Sequence, residues 1–475
     1  MFTIMMKKIN NFTNYIREKC NKYVYSFFFP LLASFIVLLF WVANWQLVGL
    51  TIMAIFTCFV LIFYGDLLPL VPLLLMLPMC FRNTITAFND DLHYCIVVFA
   101  IIVLAIILHF IMHPIKKIKF DGFFFFLVGL NLMFLISGIF SGNSENYFKA
   151  IDIYLISGAM PLVIHFSFYN KVKLDNKVNH RRYVCVAFII AITLSCVQLC
   201  YAKLTVYLYG NASWFPRIPG FCWANTNHIG NIILLAVPLC CYMVLSSKYV
   251  WAWMIEIFFL YACMFLSGSD GGLATLIIGT PFLMFYVYKN CYKKNFFFIK
   301  NFFLAIIYLV VLGLAIFVLF DLTELITFIT ESSSGNGRIW AYEMSIDSFL
   351  DYPIFGIGLG GGWAQLNSIV HEHNYNGFYH STIFHIMACA GSVGILTYIA
   401  YYIIRAKYVL KNNTVLGDLV FLAFIMFGVY GTIENSEFNI VLLFMTTLIT
   451  LVGHISKNGS DDKPLPLFVK VPKYN

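Results

Sequence analysis

Apolar stretches, most of them about 20 residues long and separated by polar breaks, recur along almost the whole of this chain, and a helix of about 20 residues crosses a bilayer's hydrocarbon core. Lipid offers no water to a backbone N–H or C=O, so such stretches fold as helices that satisfy these groups internally. They fall near 24–43, 46–63, 67–81, 93–112, 122–140, 149–168, 183–206, 223–245, 250–267, 271–288, 301–320, 382–404, 418–431 and 437–454. The expected fold is all-α: a polytopic transmembrane helix bundle of about 12 to 14 spans. Pro69, Pro72 and Pro78 make the third stretch a broken or re-entrant segment. Composition agrees, since only 11% of the residues are charged, against roughly 25% in a soluble domain.

Charge sets the orientation. If the first stretch starts in the cytoplasm, all of the 30 lysines and arginines except Arg82, Lys149, Lys203, Arg217 and Arg338 fall in cytoplasmic segments. The net charge of +8 then belongs to cytoplasmic loops and implies no nucleic-acid partner. The organisation expected is a cytoplasmic N-terminal segment over 1–23, eleven helices over 24–321, an extracytoplasmic loop over 322–381, C-terminal helices over 382–456 and a cytoplasmic tail over 457–475. The basic N-terminus leads into a full-length span and reads as a retained anchor. The 13 cysteines are scattered through apolar runs without a CxxC pair and read as small buried hydrophobes.

With this orientation the polar segments of unusual chemistry, Trp214–His228, Ser267–Gly272 and Glu331–Ser381, all lie outside the cytoplasm. No ATP-driven chemistry is expected there, so a substrate must arrive activated or on a carrier lipid. Absence of a Walker loop, a dinucleotide fingerprint or HExxH argues against a primary pump and a zinc protease.

The largest of these segments carries the densest signal. Cap and turn residues from Ser332 to Gly337 precede Ile339, Tyr342, Ile346, Phe349 and Leu350 at helical spacing, with Glu343 and Asp347 opposite. This is an amphipathic helix along a membrane surface, and Arg338 stands at its start, where free N–H groups and the dipole favour a phosphate. Asp351, Tyr352 and Pro353 end it, and Gly356, Gly358 and Gly360–Gly362 follow. Four histidines come next: His371, His373, His380 and His385. Only Glu372 accompanies the first two, so no metal is expected, and no cofactor. Elsewhere, Arg217 is held between Pro216 and Pro219, and Asn227 reads as a contact or simply as a helix cap. Turn chemistry alone can account for the hairpin Ser267-Gly268-Ser269-Asp270.

Taken together, Arg217-x-x-Gly-Phe leading to Thr226-Asn227, the Ser-Gly-Ser hairpin, Gly337-Arg338-x-Trp340, Tyr352-Pro353-Ile354-Phe355-Gly356-Ile357-Gly358, and His380 ahead of Gly391-Ser392-Val393-Gly394 resemble the O-antigen ligase and polymerase superfamily. The resemblance spans about 210–400 in motif and the whole chain in hydropathy. It implies a metal-independent, inverting glycosyltransferase at the outer face of the bacterial cytoplasmic membrane. Such an enzyme moves a glycan from undecaprenyl diphosphate onto an acceptor glycan or lipid. By the same resemblance Arg217 and Arg338 are the diphosphate-binding arginines and His380 is the essential loop histidine, with His373 as the alternative. Asn227, His373, Trp340, Ser269 and Asp270 complete the substrate-binding set. Many relatives carry asparagine after the histidine where this chain has Ser381, and arginine after the hairpin where it has Asp270.

A surface-polysaccharide polymerase is the preferred reading and a ligase delivering finished glycan the second, with a flippase and a chain-length regulator as candidate partners. A rival of another class is a lipid-linked oligosaccharide flippase or transporter. That reading would favour charges at the bilayer midplane, whereas Asp152, Glu256, Glu434 and Glu437 fall near predicted helix ends.

Overall fold

The computed structural model describes residues 15–81, 92–138, 158–172, 179–209, 226–291, 301, 334–359, 379–438 and 440–454. Every regular element among them is helical. Helix α1 (Tyr15–Val24) turns by 79° into α2 (Phe28–Val42). Next come α3 (Gln46–Phe63), α4 (Leu70–Met76) with a 3-10 turn at Leu77–Cys80, α5 (Leu92–Met112), α6 (Gly122–Ile136), α7 (Met160–Lys171) and α8 (His180–Tyr209). The remainder are α9 (Thr226–Ser246), α10 (Val250–Ser267), α11 (Asp270–Cys291), α12 (Ser334–Asp351), α13 (Thr382–Leu410), α14 (Val415–Gly431) and α15 (Ile440–His454).

Seven of these are long and apolar enough to cross a membrane, eight if the bent α1–α2 pair counts as one span, and four shorter apolar helices join them. The chain is a polytopic helical membrane protein. The third apolar stretch is broken, as its prolines predict: α4 and its 3-10 turn are short and packed inside the bundle. Residues 149–157 of the stretch expected at 149–168 and 302–320 of that expected at 301–320 lie outside the described residues, as do 1–14 and 455–475. The described cysteines form no disulfide.

Helix α9 is the axis of the larger packing unit, with 94% of its span buried, whereas only 22% of the α5 span is covered. Its sequence explains this, because Ile229, Ile232, Leu235, Ala236, Leu239 and Met243 leave it apolar on all sides. Small residues let neighbours approach: a β-carbon on Gly230 would lie 2.7 Å from the Ser269 hydroxyl, between α10 and α11. The smaller unit gathers Phe123, Leu127 and Phe134 of α6 with Tyr398 and Tyr401 of α13 and with Phe438. Helix α12 joins it through small residues, burying Ala341, Ser345 and Ser348, while Ile346 and Leu350 stay exposed.

Helix α13 differs from its sequence reading. The apolar pattern reads 382–404 as a single span, but α13 breaks at Gly391, whose φ of 60° and ψ of −153° are not helical. The broken turn is repaired from outside. Ile357 N donates to Ala388 O at 3.0 Å and Gly358 N to Cys389 O at 2.9 Å, while Ser392 N and Val393 N donate to Pro353 O and Ile354 O at 2.8 and 3.1 Å. The carbonyls and amides that a continuous helix would have paired with one another are thus paired with the 353–358 loop. A further bond from Gly138 N to Phe355 O, 3.1 Å, ties the loop to the end of α6.

At the far end of α13, Asp121 caps α6 by accepting from Phe124 N at 2.8 Å. The same carboxylate accepts from the Tyr408 hydroxyl at 2.6 Å and faces His165 Nε2 at 3.0 Å. Burial raises the carboxyl's pKa and these three hydrogen bonds outweigh it, holding Asp121 at about 2.

Candidate active site

His380 sits at the start of α13 with φ of 45°. Left-handed backbone costs a residue with a β-carbon on the order of 1–3 kcal/mol and gathers at functional sites. Its neighbours hold it there. Tyr379 and Ser381 are fully buried, and the Ser381 hydroxyl caps α13 by accepting from Phe384 N at 3.5 Å. Serine at this position is therefore the N-cap of the helix. From α12, the Tyr342 hydroxyl donates to His380 O at 3.4 Å and its ring stacks on Phe384 with centroids 4.2 Å apart. The Ser345 hydroxyl donates to Phe384 O at 2.6 Å.

The imidazole has a carboxylate beside it. Glu434 Oε1 lies 3.5 Å from His380 Nδ1, and its side chain is 6% exposed against 29% for the ring. The other oxygen, Oε2, accepts from Asn227 Nδ2 at 2.6 Å. Thr382 Oγ1 donates to the Glu434 carbonyl at 3.4 Å. Tyr430 extends the cluster, with its hydroxyl 2.7 Å from Ser269 Oγ and 3.5 Å from Asn227 O. A buried carboxylate fixed by an amide and facing a partly open imidazole can orient that ring and stabilise the charge it gains on accepting a proton.

Three residues expected from sequence meet here: His380, Asn227 and Ser269. Ser269 is 2% exposed, so its hydroxyl reaches the cluster through Tyr430. Helix α12 begins at Ser334 and not after Gly337, so Arg338 is its fifth residue, past the free N–H groups of the first turn where the sequence reading put it. Trp340 follows on the same helix, Asp270 is the first residue of α11, and only the backbone of these three is described. Arg217 and His373 lie outside the described residues. Glu434, Tyr430 and Tyr342 were not expected. The signal for Glu434 was available, since Glu434-Asn435-Ser436-Glu437 is a polar block between two apolar stretches.

Beside the cluster a cavity of about 410 Å³ begins at Thr382 and Gly431 and runs between α13 and α14 past Tyr398 and Tyr402 to Arg405. Ile383, Ile399 and Ile425 line it and are exposed on the flank of the bundle, so it opens sideways toward lipid.

Fold and cluster together define a class: a multi-span membrane protein with an imidazole–carboxylate–amide site at one end of its bundle and an apolar cavity leading from it. Residues 255–399 match the family described as O-antigen ligase, which supports the resemblance to the O-antigen ligase and polymerase superfamily over that region. The match takes in Ser269, Asp270, Arg338, Trp340, His373 and His380 and leaves Arg217, Asn227 and Glu434 outside it. No curated protein matches the chain.

Proposed function

We propose that the protein is a surface-polysaccharide polymerase that moves a glycan from undecaprenyl diphosphate to an acceptor glycan at the outer face of the cytoplasmic membrane. The observation that carries this reading is the His380–Glu434–Asn227 cluster beside a cavity open to lipid. A lipid-linked donor needs that pairing: a polar reaction centre for the sugar and an apolar path for the hydrocarbon chain.

In this reaction His380 takes the proton of the acceptor hydroxyl as its oxygen attacks C1 of the donor sugar. The bond from C1 to the phosphate oxygen breaks on the opposite face, so the anomeric configuration inverts. Undecaprenyl diphosphate leaves with the electron pair, and Arg217 and Arg338 neutralise the charge that develops on it. A base so placed contributes roughly 10²- to 10⁴-fold. Glu434 orients His380, and Asn227 fixes Glu434. Trp340, Asp270 and His373 contact the sugars.

The test uses full-length protein in detergent, given an undecaprenyl-diphosphate-linked repeat unit, with products separated by chain length. A ladder of lengthening glycans, persisting in EDTA and lost in His380→Ala, Arg217→Ala and Arg338→Ala, is the expected result. Single transfers to a lipid acceptor would make the protein a ligase. Wild-type turnover in His380→Ala and Arg338→Ala would overturn the mechanism.

A further inference from the structure

At the far end of the cavity two charged side chains are sunk in the apolar bundle. Arg405 and Glu437 are each 1% exposed, with Arg405 Nη1 3.6 Å from Glu437 Oε1. Arg405 Nε donates to Thr450 Oγ1 at 2.9 Å, and the guanidinium lies over the Phe424 ring, 3.7 Å from its centroid. The Tyr402 hydroxyl donates to Glu437 Oε1 at 2.9 Å. Neither Nη1 nor Nη2 of Arg405, nor Oε2 of Glu437, has a hydrogen-bond partner among the described residues. A pair this deep and this incompletely bonded is a poor source of stability. Desolvation offsets the attraction, and apolar side chains of similar volume often serve as well or better.

What the pair does fix is the path of a short segment. Glu437 ends the block Glu434-Asn435-Ser436-Glu437 that joins α14 to α15. Ser436 in its middle donates to Asn231 Oδ1 at 2.9 Å, and Ser436 N donates to Glu434 O at 3.0 Å. The block is therefore pinned to α9 at Ser436, to α13 at Glu437, and presents Glu434 to His380 at its start.

We propose that Arg405 and Glu437 are positioning residues, an ion pair that anchors the 434–437 block so that the Glu434 carboxylate stays against His380. The proposal rests on the reading of His380 as the reacting base. Neither charge touches substrate; both act through Glu434.

The experiment compares full-length wild type, Glu437→Gln, the apolar pair Arg405→Met with Glu437→Met, Glu434→Gln, and Glu434→Gln combined with Glu437→Gln. Thermal unfolding shows which variants are folded. Glycan transfer is expected to fall about 10- to 100-fold in kcat for Glu437→Gln, with KM for the donor unchanged, as for a misplaced catalytic group. Added to Glu434→Gln, the same change should cost nothing more, because the two act as one unit. A second readout needs no turnover: the rate at which diethyl pyrocarbonate modifies His380, followed by peptide mass spectrometry. It should change alike in Glu434→Gln, Glu437→Gln and the apolar pair. Additive losses of transfer, or a folded Glu437→Gln or apolar-pair protein whose His380 reacts as in wild type, would overturn the proposal. A wild type that transfers no glycan would instead count against the assigned function, and the modification rates would still decide whether the pair holds Glu434 in place.

Discussion

The Glu434 carboxylate lies 3.5 Å from the His380 imidazole, although the two residues come from segments separated by two apolar helices. Glu434→Gln keeps the volume and the chance of bonding Asn227 while removing the charge that faces the ring. Glycan transfer should drop on the order of 10- to 100-fold, part of the roughly 10²- to 10⁴-fold that a well-placed base supplies. His380→Ala should lose the whole of it. Steady-state rates of the two variants, measured side by side, check the ranking, and a Glu434→Gln enzyme with wild-type rates would remove the carboxylate from the mechanism.

Tyr430 ties α14 to the Ser-Gly-Ser hairpin through the 2.7 Å contact with Ser269 Oγ. Tyr430→Phe keeps the ring and deletes that bond. Hydrogen bonds between helices in membranes contribute about 1 kcal/mol, so the variant should melt a few degrees lower in detergent and retain most of its transfer activity. Gly230→Ala should be worse, because its β-carbon would meet the same hydroxyl at 2.7 Å.

How much of this was legible beforehand differs between residues. The helices α3, α5 and α8–α11 follow from apolar length alone, because lipid leaves the backbone no other partner. His380 and Asn227 stood out as polar groups at helix starts near turn residues. Glu434 showed only as part of a polar block between apolar stretches, because its pairing with His380 depends on α14 returning the chain to the start of α13, a long-range contact that no local pattern encodes. The break at Gly391 was hidden for a related reason: Thr382 to Leu410 is apolar enough for one helix, and only the 353–358 loop, arriving from elsewhere, supplies hydrogen bonds that make a break tolerable.

Asp121 gives the fold an acid dependence whose sign can be worked out. Its carboxyl is held at about 2, below the 3.8 of an unperturbed group, so the bonds to Phe124, His165 and Tyr408 favour the ionised form. The stabilisation, on the order of 2 kcal/mol, is fully present above pH 4 and is lost as pH falls toward 2. Asparagine caps a helix as well as aspartate does, so Asp121→Asn isolates the charge. The variant should be less stable than wild type at neutral pH, and the gap should close between about pH 4 and pH 2 in thermal unfolding.

The loop that fills the α13 break should tolerate no side chain. A β-carbon on Gly356 would lie 2.4 Å from the Cys389 carbonyl carbon, and one on Gly391 would lie 2.6 Å from the backbone of Ile354. Both clashes are with main chain held by hydrogen bonds on either side, so neither neighbour can rotate away. Both glycines also have left-handed φ, 67° and 60°, which by itself costs on the order of 1–3 kcal/mol once a β-carbon is present. Gly356→Ala and Gly391→Ala should therefore each lower the yield of folded protein sharply and abolish transfer, since the loop and α13 carry the segments that converge on His380. Gly129→Ala in α6 is the control: nothing lies within 4 Å of its β-carbon, and alanine should be neutral or add up to about 1 kcal/mol through helix propensity. Size-exclusion profiles and melting curves of the three variants decide the matter, and a Gly391→Ala protein that melts like wild type would mean that the break at this residue is not required.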